Sequence, residues 1–478
     1  MVSLPLEDTT DAAVGGAAER PQTSSLPLDR INQEDAAAAA QRPQTFRSAA
    51  ASPSRSAKKD DKPASDNVLV FARFRPQSVW ELQIGGEMNC FFDPDGRTVS
   101  VSADRGLSTF QFSKVFNTEA CQNEVYATVG QPIIHKVMNG INAAIVAYGQ
   151  TGSGKTHSMI GSFAGAWRDE REAPDETEGL VPRTMRDLFF ATSNQPAHIA
   201  YTVTASLVEI YQENVTDLLV TSDAKTFLTI NEDKQRRLFV TGAAQFPVST
   251  AREALALVQR GLRARETART KMNERSSRSH AVVILNIHKR DDLDCSVTSS
   301  QLYMVDLAGS EVVAKTEATG TVLEEAKRIN SSLFALGRVI SALAEGKSHV
   351  PYRDSKLTRL LQHCFGGSSS TALLINCSAS SWNRQETVAA LQLGARSQNI
   401  VNKVKVNKVH TTAELQKMLR EARRVIARQA VQLSVQEREL AVLRVEAAAA
   451  RGSVLQRDDK EEEEDESEEL EEESGSSE

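Results

Sequence analysis

The residues best placed to do chemistry in this chain are Gly149-Gln150-Thr151-Gly152-Ser153-Gly154-Lys155-Thr156. They fit the pattern G-x-x-x-x-G-K-[ST]. Glycines let successive backbone N–H groups turn inward around phosphate oxygens. A helix that begins at Lys155 adds a dipole favourable to an anion. Lys155 would reach β- and γ-phosphates, and the Thr156 hydroxyl would bind Mg²⁺. The run Ala143–Tyr148 just before the loop is apolar and reads as a strand, which is the context such a loop needs.

A phosphate loop needs a second Mg²⁺ partner and a sensor for the terminal phosphate. Asp306 ends the apolar strand QLYMVD and is followed by Leu-Ala-Gly309-Ser-Glu311. A carboxylate at the tip of a strand beside the loop is where an acid holds Mg²⁺ through water. Gly309 can offer a bare backbone N–H to a γ-phosphate. Asn273-Glu-Arg-Ser276-Ser277-Arg278-Ser-His280 stands just before another strand. Two adjacent hydroxyls and a fixed cation suit closure around a phosphate and an attacking water; alone, the segment would read as an ordinary polar turn.

These loops must be held at the ends of strands. The pattern predicts strands over 68–74, Ala143–Tyr148, 201–210, 281–288, 301–305 and 371–377. It predicts helices after Lys155 and over 322–344, 356–364 and 386–398. Alternation of this kind implies a central sheet with helices on both faces. Residues 1–66 are rich in Ala, Ser, Pro and Thr, and are expected to be disordered. Stretch 413–451 contains neither Gly nor Pro. A heptad register there places Leu419, Ile426, Leu433 and Leu440 at a, with Gln429 and Gln436 at two of the d positions. A weak parallel dimer and a single amphipathic helix both fit. Stretch 452–478 is acidic and is expected to be disordered.

The chain has 478 residues and a net charge of -7. Residues 458–478 hold 14 acids against one lysine, and 67–457 are left with +8. A basic body suggests a polyanionic partner: nucleic acid, a membrane surface or an acidic protein lattice. No apolar run is long enough to span a bilayer. The acidic start MVSLPLEDTT argues against a secretory signal. Five scattered cysteines, without C-x-x-C spacing, argue against a disulfide framework or thiolate zinc site and for a reduced, cytosolic protein.

Together GQTGSGKT, NERSSRSH and DLAGSE resemble the phosphate loop and two switches of the kinesin motor domain. The resemblance runs from about Asn67 to Asn407 and looks closest to the conventional, N-terminal-motor branch. It implies a P-loop NTPase fold, with a three-layer arrangement of a central mixed sheet flanked by helices, followed by a neck helix. It also implies ATP and Mg²⁺ as ligands and the microtubule as the polyanion. Arg73, Arg75 and Pro76 would lie beside the nucleotide base, with His157 on its other side. Lys155 and Thr156 would hold the phosphates and Mg²⁺, with Asp306 supporting the metal through water. Ser277 would close on Mg²⁺ and the γ-phosphate, Ser276 would position the lytic water, and Arg278 would pair with Glu311 when the switches close. Glu311 would take the proton through a second water.

Stretches 324–346 and 349–361 resemble the filament-binding helices and the loop between them, which assigns Lys327, Arg353, Lys356 and Arg359 to the microtubule face. Residues 400–412 resemble a neck linker, with Asn407 as its latch and Ile400 entering a groove. The implied organisation is an extension over 1–66, a motor domain over 67–399, the linker, a neck helix over 413–451 with a possible homodimer, and the acidic tail. The implied activity is a microtubule-stimulated ATPase and plus-end motor of the cytoplasmic cytoskeleton. A filament-bound structural or regulatory protein with little stepping is the alternative. The chain stops where cargo-carrying relatives continue, which favours that alternative. Stretch 162–178 is longer and more charged than the conventional branch's loop. A P-loop GTPase is disfavoured because no N-K-x-D sequence occurs.

Overall fold

A computed structural model describes residues 64–103, 106–161, 175–220, 227–233, 238–269, 275–293, 295–311, 321–410 and 412–474. The main sheet runs in the order Phe246–Val248, Ile199–Tyr211, His280–Asp291, Ser296–Asp306, Ala143–Tyr148, Ser370–Ser378, Leu69–Arg75, Lys114–Phe116. Strands from Ser296–Asp306 onward pair in parallel with their neighbours. Those before it pair antiparallel. The sheet is therefore mixed, as the resemblance implied.

Every residue of Ala143–Tyr148 is buried. Successive side chains of a strand face opposite sides. Ala144, Val146 and Tyr148 accordingly join one core, with Leu333, Leu336, Leu357 and Leu391 from helices on that face. Ala143, Ile145 and Ala147 join the other core, with Leu188, Leu255 and Val258. A strand buried on both faces must read as an unbroken apolar run, and this one does.

The helices that matter to the site are Lys155–Met159, Ala251–Arg269, Thr321–Ala344, Lys356–Leu360 and Arg384–Ser397. The expected helix over 356–364 divides into Lys356–Leu360 and a 3₁₀ turn at Leu361–His363. Order begins earlier than the sequence suggested. Ala64–Asn67 forms a strand antiparallel to Val401–Val404, so the start of the expected linker gains a partner from the segment before Val68.

At the other end, one helix runs Thr412–Ser474, past the expected limit at 451. The acidic stretch expected to be disordered is therefore helical as far as Ser474. Glutamate is a good helix former and no proline interrupts the segment, so propensity outweighs like-charge repulsion there. The remainder of the expected disorder, over 1–63 and 475–478, and most of the 162–178 stretch lie outside the described residues. Among the described residues no helix is long and apolar enough to cross a membrane.

Candidate nucleotide site and the elements attached to it

The glycine-rich loop leaves the end of Ala143–Tyr148 and closes at Lys155–Met159. Gly149 has φ +148°, and a Cβ there would fall 2.1 Å from the Asn376 carbonyl oxygen. The strand next door thus demands a glycine. Lys155 is buried and donates through Nζ to the carbonyl oxygens of Gly149 and Gln150, each at 2.8 Å. Burial lowers its pKa, while Asp306 and Glu311 oppose the shift. Both acceptors are loop carbonyls.

Asp306 ends its strand opposite Ala147, one strand over from the loop. Its Oδ2 accepts from Thr156 Oγ1 at 2.7 Å. Its Oδ1 is buried with no hydrogen-bond partner, as are Gln150 Oε1 and Ser153 Oγ. A buried carboxylate oxygen without a donor is costly unless something binds it. A hydroxyl, a carboxylate with one bare oxygen and a lysine at a phosphate-type loop form a donor set that suits a polyphosphate carrying a hard divalent cation. Mg²⁺ is typically held by one or two protein oxygens plus phosphates and water, so no larger acidic cluster is required.

The segment after Asp306 folds over the loop. Ser310 N–H donates to the Gly149 carbonyl at 3.1 Å. The Glu311 carboxylate accepts from Thr151 N–H at 2.8 Å and Thr151 Oγ1 at 2.7 Å. A Cβ on Gly309 would sit 2.2 Å from both Thr151 Oγ1 and Glu311 Oε2, so these side chains would have to shift to admit one. Two pairings here differ from those expected once a nucleotide fills the site and the switches close. Gly309 N–H does not face an open phosphate position but donates to the Ser277 carbonyl at 2.9 Å. Glu311 meets Thr151, not Arg278, because the Thr151 amide and hydroxyl offer two donors at once. Ser277 and Arg278 lie on the turn Arg275–Arg278. The side chain of Ser276, and all of Asn273, lie outside the described residues.

Arg75 and Arg73 differ in role despite sharing a strand face. Arg75 Nε donates to the Gly152 carbonyl at 2.5 Å, and its two terminal nitrogens meet Glu81 at 2.7 and 2.6 Å. Burial alone would raise the Glu81 pKa; hydrogen bonds from Arg75 and Ser78 outweigh it and hold the group at about 2. Arg73 is buried and donates to Gln122 Oε1 at 2.7 Å and Ser158 Oγ at 2.9 Å. Through Ser158 it supports the Lys155–Met159 helix. Burial pushes its pKa down to about 10. Pro76 is exposed, and partial burial together with Arg73 lowers the His157 pKa.

Sequence reasoning missed Arg265. It reaches from Ala251–Arg269 into the site, almost fully buried, and donates through Nη2 to the Ser279 carbonyl at 2.7 Å. Its Nε lies 3.7 Å from Glu209, and its Nη1 3.8 Å from Asp306. Strand register makes the meeting possible, since Ala281 is opposite both Glu209 and Asp306. No local pattern carries that signal.

The expected linker lies on the body. Val68 N–H donates to the Ile400 carbonyl at 3.0 Å, and Ile400 is buried. Asn402 is fully buried; its Nδ2 donates to the carbonyls of Cys364 (2.8 Å) and Ser369 (2.6 Å), and its Oδ1 accepts from Gly366 N–H at 2.8 Å. Asn407 N–H donates to the Gly140 carbonyl at 2.9 Å, and Ser299 N–H donates to the Asn407 carbonyl at 2.9 Å. Its Nδ2 reaches the Gly140 carbonyl at 3.2 Å and Asn142 Oδ1 at 3.1 Å.

Among the expected filament contacts, Arg353 and Lys356 are exposed. Arg359 is half-buried and pairs with Glu232 at 2.7 Å, so it is engaged within the chain. The Lys327 side chain lies outside the described residues.

The comparisons with known proteins agree with this geometry. The family model described as Kinesin motor domain matches residues 73–400. A kinesin heavy chain of Neurospora crassa is 42% identical over 362 residues, which is 75% of this chain and 38% of that protein. The kinesin-1 heavy chain of Rattus norvegicus is 41% identical over 352 residues, covering 74% of this chain and 35% of its own length. The chain thus spans under two-fifths of the length of these two relatives. A solved structure of a fast kinesin superimposes with a TM-score of 0.66 at 42% identity, covering 74% of this chain and 97% of that one.

Proposed function

The chain belongs to the kinesin motor family, and from that premise we propose that it is an ATP-driven microtubule motor. The observation that carries the nucleotide half is the Thr156–Asp306 pair with its bare Oδ1 beside the phosphate loop. Lys155, released from the Gly149 and Gln150 carbonyls, binds the β- and γ-phosphates. Amides of Gly152 to Thr156 surround the phosphate oxygens. Thr156, Ser277 and, through water, Asp306 would hold Mg²⁺, which would supply charge stabilisation to the phosphates.

Ser276 orients the attacking water. Glu311 leaves Thr151 to pair with Arg278 and takes the proton through a second water. Positioning and charge stabilisation do most of the work in such a transfer. Arg75 and Pro76 flank the base on one side and His157 on the other, with Arg73 holding the floor.

The filament face comprises Arg353 and Lys356, with Lys327 and with Arg359 once it leaves Glu232. A basic body facing an acidic lattice fits the charge division of the sequence. Linker docking couples the site to movement. Its support is the set of Asn402 and Asn407 hydrogen bonds, together with the Ala64–Asn67 strand that pairs with Val401–Val404. Because the linker follows the catalytic body, movement is toward the plus end. The exposed Leu419, Ile426, Leu433 and Leu440 of the long helix support a parallel homodimer. The place of work is the microtubule cytoskeleton of the cytoplasm.

Steady-state ATP turnover with and without microtubules, joined to gliding of polarity-marked filaments, tests the reading. Turnover should rise at least about tenfold, a barrier change of ~1.4 kcal/mol. Turnover indifferent to microtubules would reject the motor assignment, and minus-end gliding would reject the direction.

A further inference from the structure

His280 closes the NERSSRSH segment and begins the His280–Asp291 strand. It is buried, and both ring nitrogens are engaged. Nδ1 accepts from the Ala308 N–H at 3.0 Å. Nε2 lies 2.9 Å from Ser332 Oγ. An amide can only donate, so Nδ1 carries no proton. The proton sits on Nε2, which donates to Ser332. Burial, then the cations Arg265 and Lys155, push the ring's pKa down to about 3, so the ring is uncharged at neutral pH.

The two partners belong to the two elements that matter most. Ala308 lies in the segment that starts at Asp306 and folds over the phosphate loop through Ser310 and Glu311. Ser332 lies on Thr321–Ala344, the helix leading to the exposed cations of the filament side. A second bond runs in parallel, from Asn330 Nδ2 to the Glu311 carbonyl at 3.0 Å. A histidine that only filled the core would need a satisfied ring. It would not need its partners to be the nucleotide segment on one side and the filament-side helix on the other.

We infer that His280 is a positioning residue that ties the 306–311 segment to the Thr321–Ala344 helix, so that movement of one is felt by the other. Filament binding at the helix then shifts the segment that closes over the phosphates, and closure shifts the helix. The inference rests on the motor reading above and adds the route of coupling.

The test uses the full chain. Ser332→Ala removes the helix end of the tie. Its basal ATPase should stay within about twofold of the unaltered protein, while the microtubule-stimulated maximum falls about tenfold, the scale of one buried hydrogen bond. The half-saturating microtubule concentration should stay unchanged, because no filament contact is lost. His280→Asn keeps an acceptor for Ala308 and lacks the distal nitrogen, so the ratio of stimulated to basal turnover should fall by the same factor. The double variant should be no worse than either single one.

Normal stimulation in Ser332→Ala, an equal fall of basal and stimulated rates, or additive losses in the double variant would each overturn the tie. If the unaltered protein shows no stimulation at all, the motor reading falls and the inference falls with it. Stimulation that survives Ser332→Ala removes the tie alone.

Discussion

Asn407→Ala should weaken linker docking without abolishing it. The side chain contributes Nδ2 bonds to the Gly140 carbonyl at 3.2 Å and to Asn142 Oδ1 at 3.1 Å. Both are long, and the residue is half-buried. Neither acceptor is orphaned by the change: Gly140 still receives the Asn407 N–H, and Asn142 Oδ1 still receives the Gln301 N–H at 3.0 Å. The cost is then the net value of two weak bonds, about 1 kcal/mol, with no desolvation penalty added. That is roughly a fivefold shift toward the undocked linker. A distance label between the linker and the body would read the docked fraction, and gliding speed would read its consequence. The stimulated ATPase should stay near normal because no group at the phosphates is touched. Asn402→Ala supplies the contrast. It strands the Gly366 N–H and leaves the Ser369 carbonyl short of a donor, so its cost should reach several kcal/mol and include stability. An unchanged docked fraction and unchanged gliding in Asn407→Ala would refute the latch.

Glu311→Ala should retain nucleotide binding and lose turnover by about 10² to 10³, the usual scale for one transition-state group; normal turnover measured beside nucleotide affinity would reject its role. Gly149→Ala forces a Cβ to 2.1 Å from a backbone oxygen at a positive φ, so labelled-nucleotide affinity should drop at least about tenfold while the sheet's circular dichroism persists. The buried His280 has a depressed pKa of about 3 against 6.5 when unfolded, so its stabilising effect is complete above pH 6.5 and is lost as pH falls. Between pH 7.5 and 5.5 that loss is on the order of 1 kcal/mol, and denaturant melts of the unaltered protein and of His280→Gln should differ by that slope. Parallel melts with no difference in slope would reject a neutral, buried ring.

The phosphate loop and Asp306 were legible because their signals are local. Loop glycines, a lysine and a hydroxyl lie within one octapeptide, and Asp306 marks the end of an apolar strand. Ala143–Tyr148 could be delimited because burial on both faces leaves no polar residue to blur its edges. What escaped the sequence depends on register between distant strands. Arg265 meets Glu209 and Asp306 only because Ala281 stands opposite both. Ala64–Asn67 has the composition of a turn, and it becomes a strand because Val401–Val404 offers an unpaired edge. Arg73 and Arg75 look equivalent in a period-two pattern; the Lys155–Met159 helix covers one and leaves the other at the rim.

The same contrast bears on how a chemical event could move a linker far from it. The locally encoded residues touch phosphate in the proposed mechanism, and each is tolerant of little change. The register-encoded ones join elements: Arg265 joins a helix to two strands, His280 joins a strand to a loop and a helix, and Asn402 joins the linker to the segment Cys364–Ser369. A Cβ at Gly309 would meet side-chain oxygens of Thr151 and Glu311, and one at Gly149 the Asn376 carbonyl, so the backbone packs closely at both points. A displacement of the 306–311 segment is transmitted through bonds such as Ala308–His280–Ser332 and Glu311–Asn330, whose far ends lie on one helix. Packed interiors shift between discrete arrangements instead of deforming smoothly. A sub-ångström closure at the phosphates can therefore emerge as a whole-helix movement, and the Ile400 seat beside that helix's core is where the linker would feel it.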